Sequence, residues 1–488
     1  MSRLSKSRIM SSLQCLKRVH LEVHRRDLAQ FSADTEAAFA TGHEVGAMAI
    51  RLLGGPDGSY IEYPGGSFEP ALKRTRELLG SLFRAPIYEA TLEYAGVLVR
   101  EDILLPDGDS WRIIEVKAST SLKPEYLNDC AVQAWVHLNA GNPLSRVSLA
   151  HIDNQFIYAG NGDYDGLLIE ADVTDEVMAL LPAVPVWVAQ AREAVAGPVP
   201  EVPVGQHCAA PYECPFMQFC WPRDTPYPVS GLGGGRKKLG QWVSAGYRDI
   251  RDVPMSEISA EGQLRIRRIT ASGQPELLPG ARQFTAALAY PRFYLDFETV
   301  SPAIPRWPGT QPYETLPFQW SCHIERSPGE IGHAEFLDLS GAAPMRSLAE
   351  ALIDALESRG PVLMYTDYER RVIEGLAARF PDLAHSLKGI VARLVDLYPV
   401  TKANYYHPDM LGSWSIKSVL PTIEPGMDYA RLDGIHEGTA ASAAYFEAIG
   451  PQISTERKAE IRRQLLRYCK HDTAAMLRLV DFFQRAGA

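Results

Sequence analysis

The sequence predicts an α/β protein of two domains joined by a short connector. Three observations carry that expectation. Strand-like runs alternate with helix-like runs in two separate blocks, 1–226 and 286–488. Between them, Gly231, Gly233, Gly234 and Gly235 run into Arg236, Lys237 and Lys238, which is linker chemistry. The chain has 488 residues, 46% of them hydrophobic and 22% charged. That composition is globular, and it excludes disordered, collagen-like and coiled-coil chains. At roughly 150 residues per domain, two larger domains and a small insert fit the length.

The first block opens with helix patterns at Ser7–Arg26 and Thr35–Leu53. The basic start lacks the apolar core and small-residue cleavage site of a secretory signal. Strand-like runs follow at Ile87–Glu93, Gly96–Leu104 and Trp111–Lys117, then a helix at Pro124–Asn139 and a strand at Val147–Ile152. Alternation along the third strand puts Trp111, Ile113, Glu115 and Lys117 on one face. The strand before it carries Asp102. Asp followed by Glu-x-Lys on a hairpin suits metal-dependent phosphodiester cleavage: two carboxylates hold Mg²⁺ and the lysine orients or activates water. Glu-x-Lys alone would also fit a solvated edge strand. Three further polar residues lie nearby in the chain: Glu44, Glu89 and Gln133.

A Pro-rich stretch leads into Cys208, Cys214 and Cys220, spaced by six and six, with Cys15 far upstream in a basic helix pattern. Zinc motifs prefer tighter pairs, so zinc and inert buried thiols both remain open beside a four-thiolate cluster. Cys130, Cys322 and Cys469 have no such spacing and read as core. Seven cysteines in 488 residues are too sparse for a secreted disulfide scaffold, which favours a reducing cytoplasm.

The connector, 227–285, carries a small helical segment. The second block starts with the strand FYLDFETV, whose alternation puts Asp296 and Glu298 on one face. Two carboxylates there repel unless cations bridge them. PVLMYTDYERRVIEGL reads as strand then helix, with Glu369 and Asp367 competing as a further carboxylate. LLRYCKHDTAAML reads as a late helix with Tyr468 and Asp472 four apart on one face. Asp396 and Lys417 are even between structural and phosphate-facing roles.

These motifs carry three resemblances. Asp102, Glu115 and Lys117, with Glu44 and Gln133, resemble the PD-(D/E)XK nucleases of the RecB-like branch. That implies a restriction-endonuclease-like fold with Glu44, Asp102 and Glu115 as metal ligands and Lys117 and Gln133 in catalysis. The branch often has His where this chain has Gly46. Cys15 with Cys208, Cys214 and Cys220 resembles the iron–sulfur members of that branch, which implies a [4Fe–4S] cluster pinning the ends of the domain together. Asp296 and Glu298 with Tyr468 and Asp472 resemble the Tyr-type DEDD exonucleases on the RNase H-like fold. There the resemblance implies Asp296, Glu298, Glu369 and Asp472 as ligands of two Mg²⁺ or Mn²⁺ ions, with Tyr468 positioning water. The whole chain resembles a bacterial family that joins these two domain types.

The implied activity is a metal-dependent nuclease, an exonuclease on DNA single strands or ends, in repair or defence. Two competing readings stand beside it: only the C-terminal domain cuts while the N-terminal domain grips DNA, or the chain is a non-catalytic scaffold. A net charge of −10 excludes a basic chain overall, but Arg3–Arg26, Arg236–Lys238, Arg265–Arg268, Arg370–Arg371 and Arg457–Lys470 offer local basic runs. Trp307, Trp320 and Trp414 could stack on bases or fill the core. No run of apolar residues is long enough for a membrane span.

Overall fold

The computed structural model describes residues 3–55, 57–432 and 434–485. The chain is mixed α/β and divides into two compact units. The first is Met1–Trp221 with Pro302–Tyr313, and the second is Pro222–Ser301 with Glu314–Ala488. The connector expected at 227–285 therefore packs as part of the second unit, and the short excursion 302–313 belongs to the first. Among the described residues no helix is long and apolar enough to cross a membrane.

The first unit holds helices α1 (Lys6–Gln14), α2 (Leu16–His24) and α3 (Ala33–Ala49), then strands β1 (Ile87–Tyr94), β2 (Val97–Asp107) and β3 (Ser110–Lys117). Helix α4 (Pro124–Asn139), strands β4 (Leu144–Ile152) and β5 (Leu168–Asp172) and helix α5 (Val184–Ala196) follow. The strands lie in the order β1-β2-β3-β4-β5. β3 and β4 are parallel, and the other neighbours are antiparallel. Two-residue strands extend the sheet: Ser59–Tyr60 beside β1, and Leu4–Ser5 parallel to Val97 and Leu98 of β2. Between β3 and β4, helix α4 starts on Pro124, which suits a first helical turn. It buries Cys130, Ala131 and Ala134 against Val99, Ile113 and Leu149 in the core.

The sequence reads Ser7–Arg26 as one helix, whereas the structure breaks it at Cys15. That residue is extended, with φ −165° and ψ 119°, and ends α1 while starting α2. Side-chain hydrogen bonds support the break: Gln14 Nε2 donates to the carbonyls of His207 (2.6 Å) and Tyr212 (2.7 Å).

In the second unit the sheet comprises β6 (Arg292–Val300), β7 (Leu316–Ser327), β8 (Glu330–Leu337), β9 (Val362–Met364) and β10 (Leu394–Asp396). Helices α6 (Met345–Ala355), α7 (Tyr368–Arg379), α8 (Ile416–Ile423) and α9 (Thr455–Arg485) pack around it. The strand order is β8-β7-β6-β9-β10. β7 runs antiparallel to both of its neighbours, β8 and β6, while β6, β9 and β10 are parallel. β6 is thus central, and its apolar residues Phe293, Leu295 and Phe297 are buried. The long helix α9 crosses β6 and β7. Gln319 Nε2 donates to the Leu465 carbonyl at 2.9 Å, and Thr473 Oγ1 lies 2.8 Å from His323 Nδ1 and 3.1 Å from Ser321 Oγ. Trp307, Trp320 and Trp414 are all buried, so they fill cores and are not available to stack on bases.

Candidate functional sites

The second unit gathers carboxylates where β6, α7 and α9 meet. Ser321 pairs with Asp296 across the β6–β7 ladder, so β6 presents Asp296 and Glu298 on the sheet face that α9 covers. Oxygens of both, with Cys469 Sγ on α9, lie within 4.8 Å of one another. Cys469 Sγ sits 3.3 Å from Asp296 Oδ2 and donates to it. The sequence reading left this thiol in the core; nothing in its spacing marked it, because its partner is 173 residues away. Asp472 and Tyr468, one turn apart on α9, are both buried. Tyr429 O–H donates to Asp472 Oδ1, a second partner that no motif announced. Lys417 of α8 lies over the rings of Tyr468 (5.4 Å) and Tyr429 (5.3 Å) and donates to the His436 carbonyl at 2.9 Å.

At the β9–α7 junction the two competing carboxylates separate. Glu369, in the first turn of α7, is 3% exposed, and its Oε2 has no hydrogen-bond partner. Asp367, the residue before α7, points outward and pairs with Arg370 at 3.1 Å. Asp396 is committed to structure: its Oδ1 accepts from the N–H of Tyr398 (2.8 Å) and Thr366 (2.9 Å). Thr366 itself has φ +84°, in the left-handed region, which costs a β-branched residue roughly 1–3 kcal/mol.

Burial of like charges governs the ionisation of this cluster. Burial first, then repulsion from Asp472, Glu298 and Glu369, raises Asp296 well above the usual carboxylate range. Glu298 is raised for the same reason, with Lys417 pulling the other way. Burial lifts Glu369 to about 8 and Asp472 to about 6. Burial and the three carboxylates Asp472, Glu298 and Asp296 raise Tyr468. Burial and the same carboxylates raise Cys469, so its thiol stays protonated. Oxygen donors held this way suit hard divalent cations.

The first unit builds its cluster on the hairpin. Glu115 is 2% exposed on β3. Its Oε1 accepts from Lys117 Nζ (2.7 Å) and Lys6 Nζ (3.0 Å), and its Oε2 from Gln133 Nε2 (2.7 Å). Asp129, one turn before Gln133 on α4, pairs with Lys117 and, at 3.1 Å, with Lys6. The sequence reading missed Lys6 and Asp129. The Leu4–Ser5 strand delivers Lys6, the next residue, to the site. Asp102 on β2 accepts from the Val116 N–H at 2.8 Å. Burial, then Glu115, pushes it up to about 8 against the pull of Lys6 and Lys117. Burial would raise Glu115 too, but Lys117 and Lys6 outweigh it and hold it low.

Glu44, the remaining expected ligand, has its own ion-pair partner. α3 buries Val45 and Ala49, which turns Glu44 outward to an ion pair with Arg306 at 3.5 Å. Glu89 is likewise engaged elsewhere, by Arg100 at 3.1 Å. Lys6, Lys117 and Asp129 line a groove of about 1290 Å³, along with Arg18, Arg26 and Tyr212. Phe31 and Phe39 line it as well, exposed and edge-to-face at 5.8 Å.

Cys15, Cys208, Cys214 and Cys220 converge on one small cavity of about 20 Å³. All four are free thiols. Burial pushes Cys214 up to about 11 and raises Cys220, with Cys15 and Cys208 adding to both. No three of these sulfurs lie within 4.8 Å of one another among the described residues. A tetrahedral zinc, with Zn–S of about 2.3 Å, needs sulfurs roughly 3.8 Å apart.

Residues 293–415 match the model of a domain of unknown function, DUF2779. The match begins on β6 and takes in Asp296, Glu298 and Glu369 but not Tyr468 or Asp472. A comparison with curated proteins finds none similar to the chain.

Proposed function

We propose that the chain is a metal-dependent nuclease that hydrolyses phosphodiester bonds of DNA, acting on single strands or ends. The observation that carries the reading is the second-unit cluster. Asp296, Glu298, Glu369 and Asp472 are drawn together with strongly raised carboxyls and one lysine, Lys417, nearby. Such a cluster is stabilised by cations, and the 4.8 Å spread of Asp296, Glu298 and Cys469 fits one. Two bound Mg²⁺ or Mn²⁺ ions would clamp the attacking and leaving oxygens of an in-line displacement. Asp296, Glu298, Glu369 and Asp472 would hold them. Tyr468 would orient the attacking water, with its ring fixed under Lys417. The central strand β6 under the crossing helix α9 supports an RNase H-like reading of this unit.

In the first unit, Asp102 and Glu115 would hold a metal and Lys117 would orient water. The β2–β3 hairpin followed by α4 with Gln133 supports the PD-(D/E)XK reading. Basic and aromatic side chains along the groove supply what a single strand needs: phosphate contacts and stacking surfaces. The four cysteines, which converge on one cavity with no three sulfurs within 4.8 Å of one another among the described residues, suit a [4Fe–4S] cluster, which would supply folding energy to the ends it joins.

A second reading has its own observation. Lys6 and Lys117 already pair with Glu115 and Asp129, so the first unit needs cations less than the second. In that reading only the second unit cuts and the first grips DNA. The deciding experiment is divalent-dependent cleavage of an end-labelled single strand by wild type, Asp296→Asn and Lys117→Ala. Full cleavage by Asp296→Asn in a Lys117→Ala background defeats the exonuclease assignment.

A further inference from the structure

Helix α9 has a face that the proposed reaction does not use. Successive residues turn by about 100°. Leu465, Cys469 and Thr473 therefore meet the sheet, Tyr468 and Asp472 meet the acid cluster, and Arg467, Lys470 and His471 share a third face. That face, with His323 of β7 and the loop residues Asp428 and Arg431, lines a cavity of about 340 Å³. Arg431, Arg467 and Lys470 are exposed, and among the described residues none of them forms an ion pair. The one carboxylate in the lining, Asp428, accepts from the Ala430 N–H of its own loop at 3.0 Å.

The wall between this cavity and the acid cluster is thin. Tyr429 donates to Asp472 on one side. On the other, its ring stands edge-on to His471 at 4.6 Å. His471 Nε2 in turn lies 2.9 Å from the Met427 carbonyl, which holds the loop against α9. Three cations without acidic partners in a concavity one side chain from a phosphodiester site form an electrostatic seat for a further phosphate.

We propose that this cavity binds a phosphate of the same nucleic-acid strand whose neighbouring phosphodiester lies in the acid cluster. The inference rests on the reading of that cluster as a phosphodiester site. Its ligand class is a phosphate oxyanion, either internal to the strand or terminal.

The test is fluorescence anisotropy of labelled single-stranded DNA binding to the full chain, in an Asp296→Asn/Lys117→Ala background that prevents turnover at either site. Affinity is followed against salt for the background and for Arg467→Gln/Lys470→Gln added to it. Each phosphate contact to a single strand contributes about 0.7 to the salt slope, so losing two should flatten it by about 1.4. Arg359→Gln/Lys388→Gln, exposed charges that do not line the cavity, should leave the slope unchanged. Arg431→Gln on the loop gives a second route should the helix pair disturb folding, and it should flatten the slope by about half as much. Strands with and without a 5′- or 3′-phosphate show whether the seat takes an internal or a terminal group. An unchanged slope in the pocket variants, an equal loss in the control pair, or no binding by the background protein overturns the proposal. Because binding is read without cleavage, a chain that binds through this cavity but never cuts sinks only the nuclease reading. A chain that cuts with its slope untouched sinks only the pocket.

Discussion

Asp296 sits where burial, repulsion and a thiol act on a single carboxylate, and its neighbours share its predicament. A carboxyl whose folded-state value is raised favours the protonated form in the fold. Its stabilising contribution is complete below the unfolded value, about 4, and is lost as pH rises through the folded value. For Asp472 and Glu369 those folded values are about 6 and about 8. In chelator, the second unit should therefore lose stability between about pH 4 and pH 8. Added Mn²⁺ should restore it at pH 8 and do little at pH 5. Thermal melts read this directly, and Asp296→Asn should shrink both the pH-driven loss and the Mn²⁺ gain. A loss of equal size in that variant would place the effect elsewhere. Among the side chains, Tyr468→Phe should cost turnover roughly 10²–10³-fold, the scale of losing one oriented hydrogen-bonding group. Asp367→Asn should be mild, since that carboxylate faces Arg370 and solvent, whereas Glu369→Gln should match Asp296→Asn. Single-strand cleavage rates decide, and a dead Asp367→Asn beside an active Glu369→Gln would exchange their roles.

At the scale of elements, periodicity made the sheets and several helices legible. The Pro124–Asn139 helix falls where its pattern put it, because its apolar face and its starting proline agree. The break at Cys15 was not legible, since Gln14, His207 and Tyr212 enforce it through contacts over nearly 200 residues. Lys6, 109 residues from Glu115, and Tyr429, 43 residues from Asp472, were hidden as well, because their roles depend on a two-residue strand and a loop rather than on any local spacing. Breaking the helix exposes Cys15 to the segment carrying Cys208, Cys214 and Cys220. Anaerobically purified protein should accordingly be brown, with about four Fe per chain. Cys208→Ser or Cys214→Ser should bleach it and lower the melting temperature of the first unit, because ligand loss removes metal-coupled folding energy. Colourless protein with one zinc per chain would defeat the cluster. A tight loop in the second unit gives a separate check. Gly412 has φ +81°, and a Cβ there would lie 1.6 Å from the Gly231 carbonyl oxygen. Gly412→Ala should destabilise by more than about 1 kcal/mol in denaturant unfolding.

For the whole molecule, the composition placed the chain among globular proteins, the alternation of strand-like and helix-like runs made it α/β, and the motifs named both acid clusters. They could not weigh one cluster against the other, because that depends on which cations the fold delivers. Three carboxylates in the first unit, Asp102, Glu115 and Asp129, face Lys6 and Lys117. In the second, the leading influences include a lysine, Lys417, for Glu298 and Asp472 and no cation for Asp296 and Glu369. The two sites should therefore differ in their need for metal. Titrating Mn²⁺ against cleavage of a labelled single strand should show the Asp296-dependent activity at the lower metal concentration. In Lys117→Ala that component should persist. In Asp296→Asn only a weaker component requiring more metal should remain, and the double variant should be inactive. Lys6→Ala supplies the sharpest reading. It removes a cation that competes for Glu115, so the first-unit activity should shift to lower Mn²⁺ even if its maximum rate falls. If Lys6→Ala instead raises the metal requirement, Lys6 helps to assemble the site rather than competing with the ion. If Asp296→Asn abolishes all cleavage at every Mn²⁺ concentration, the first unit does not cut, and its groove serves to hold the strand.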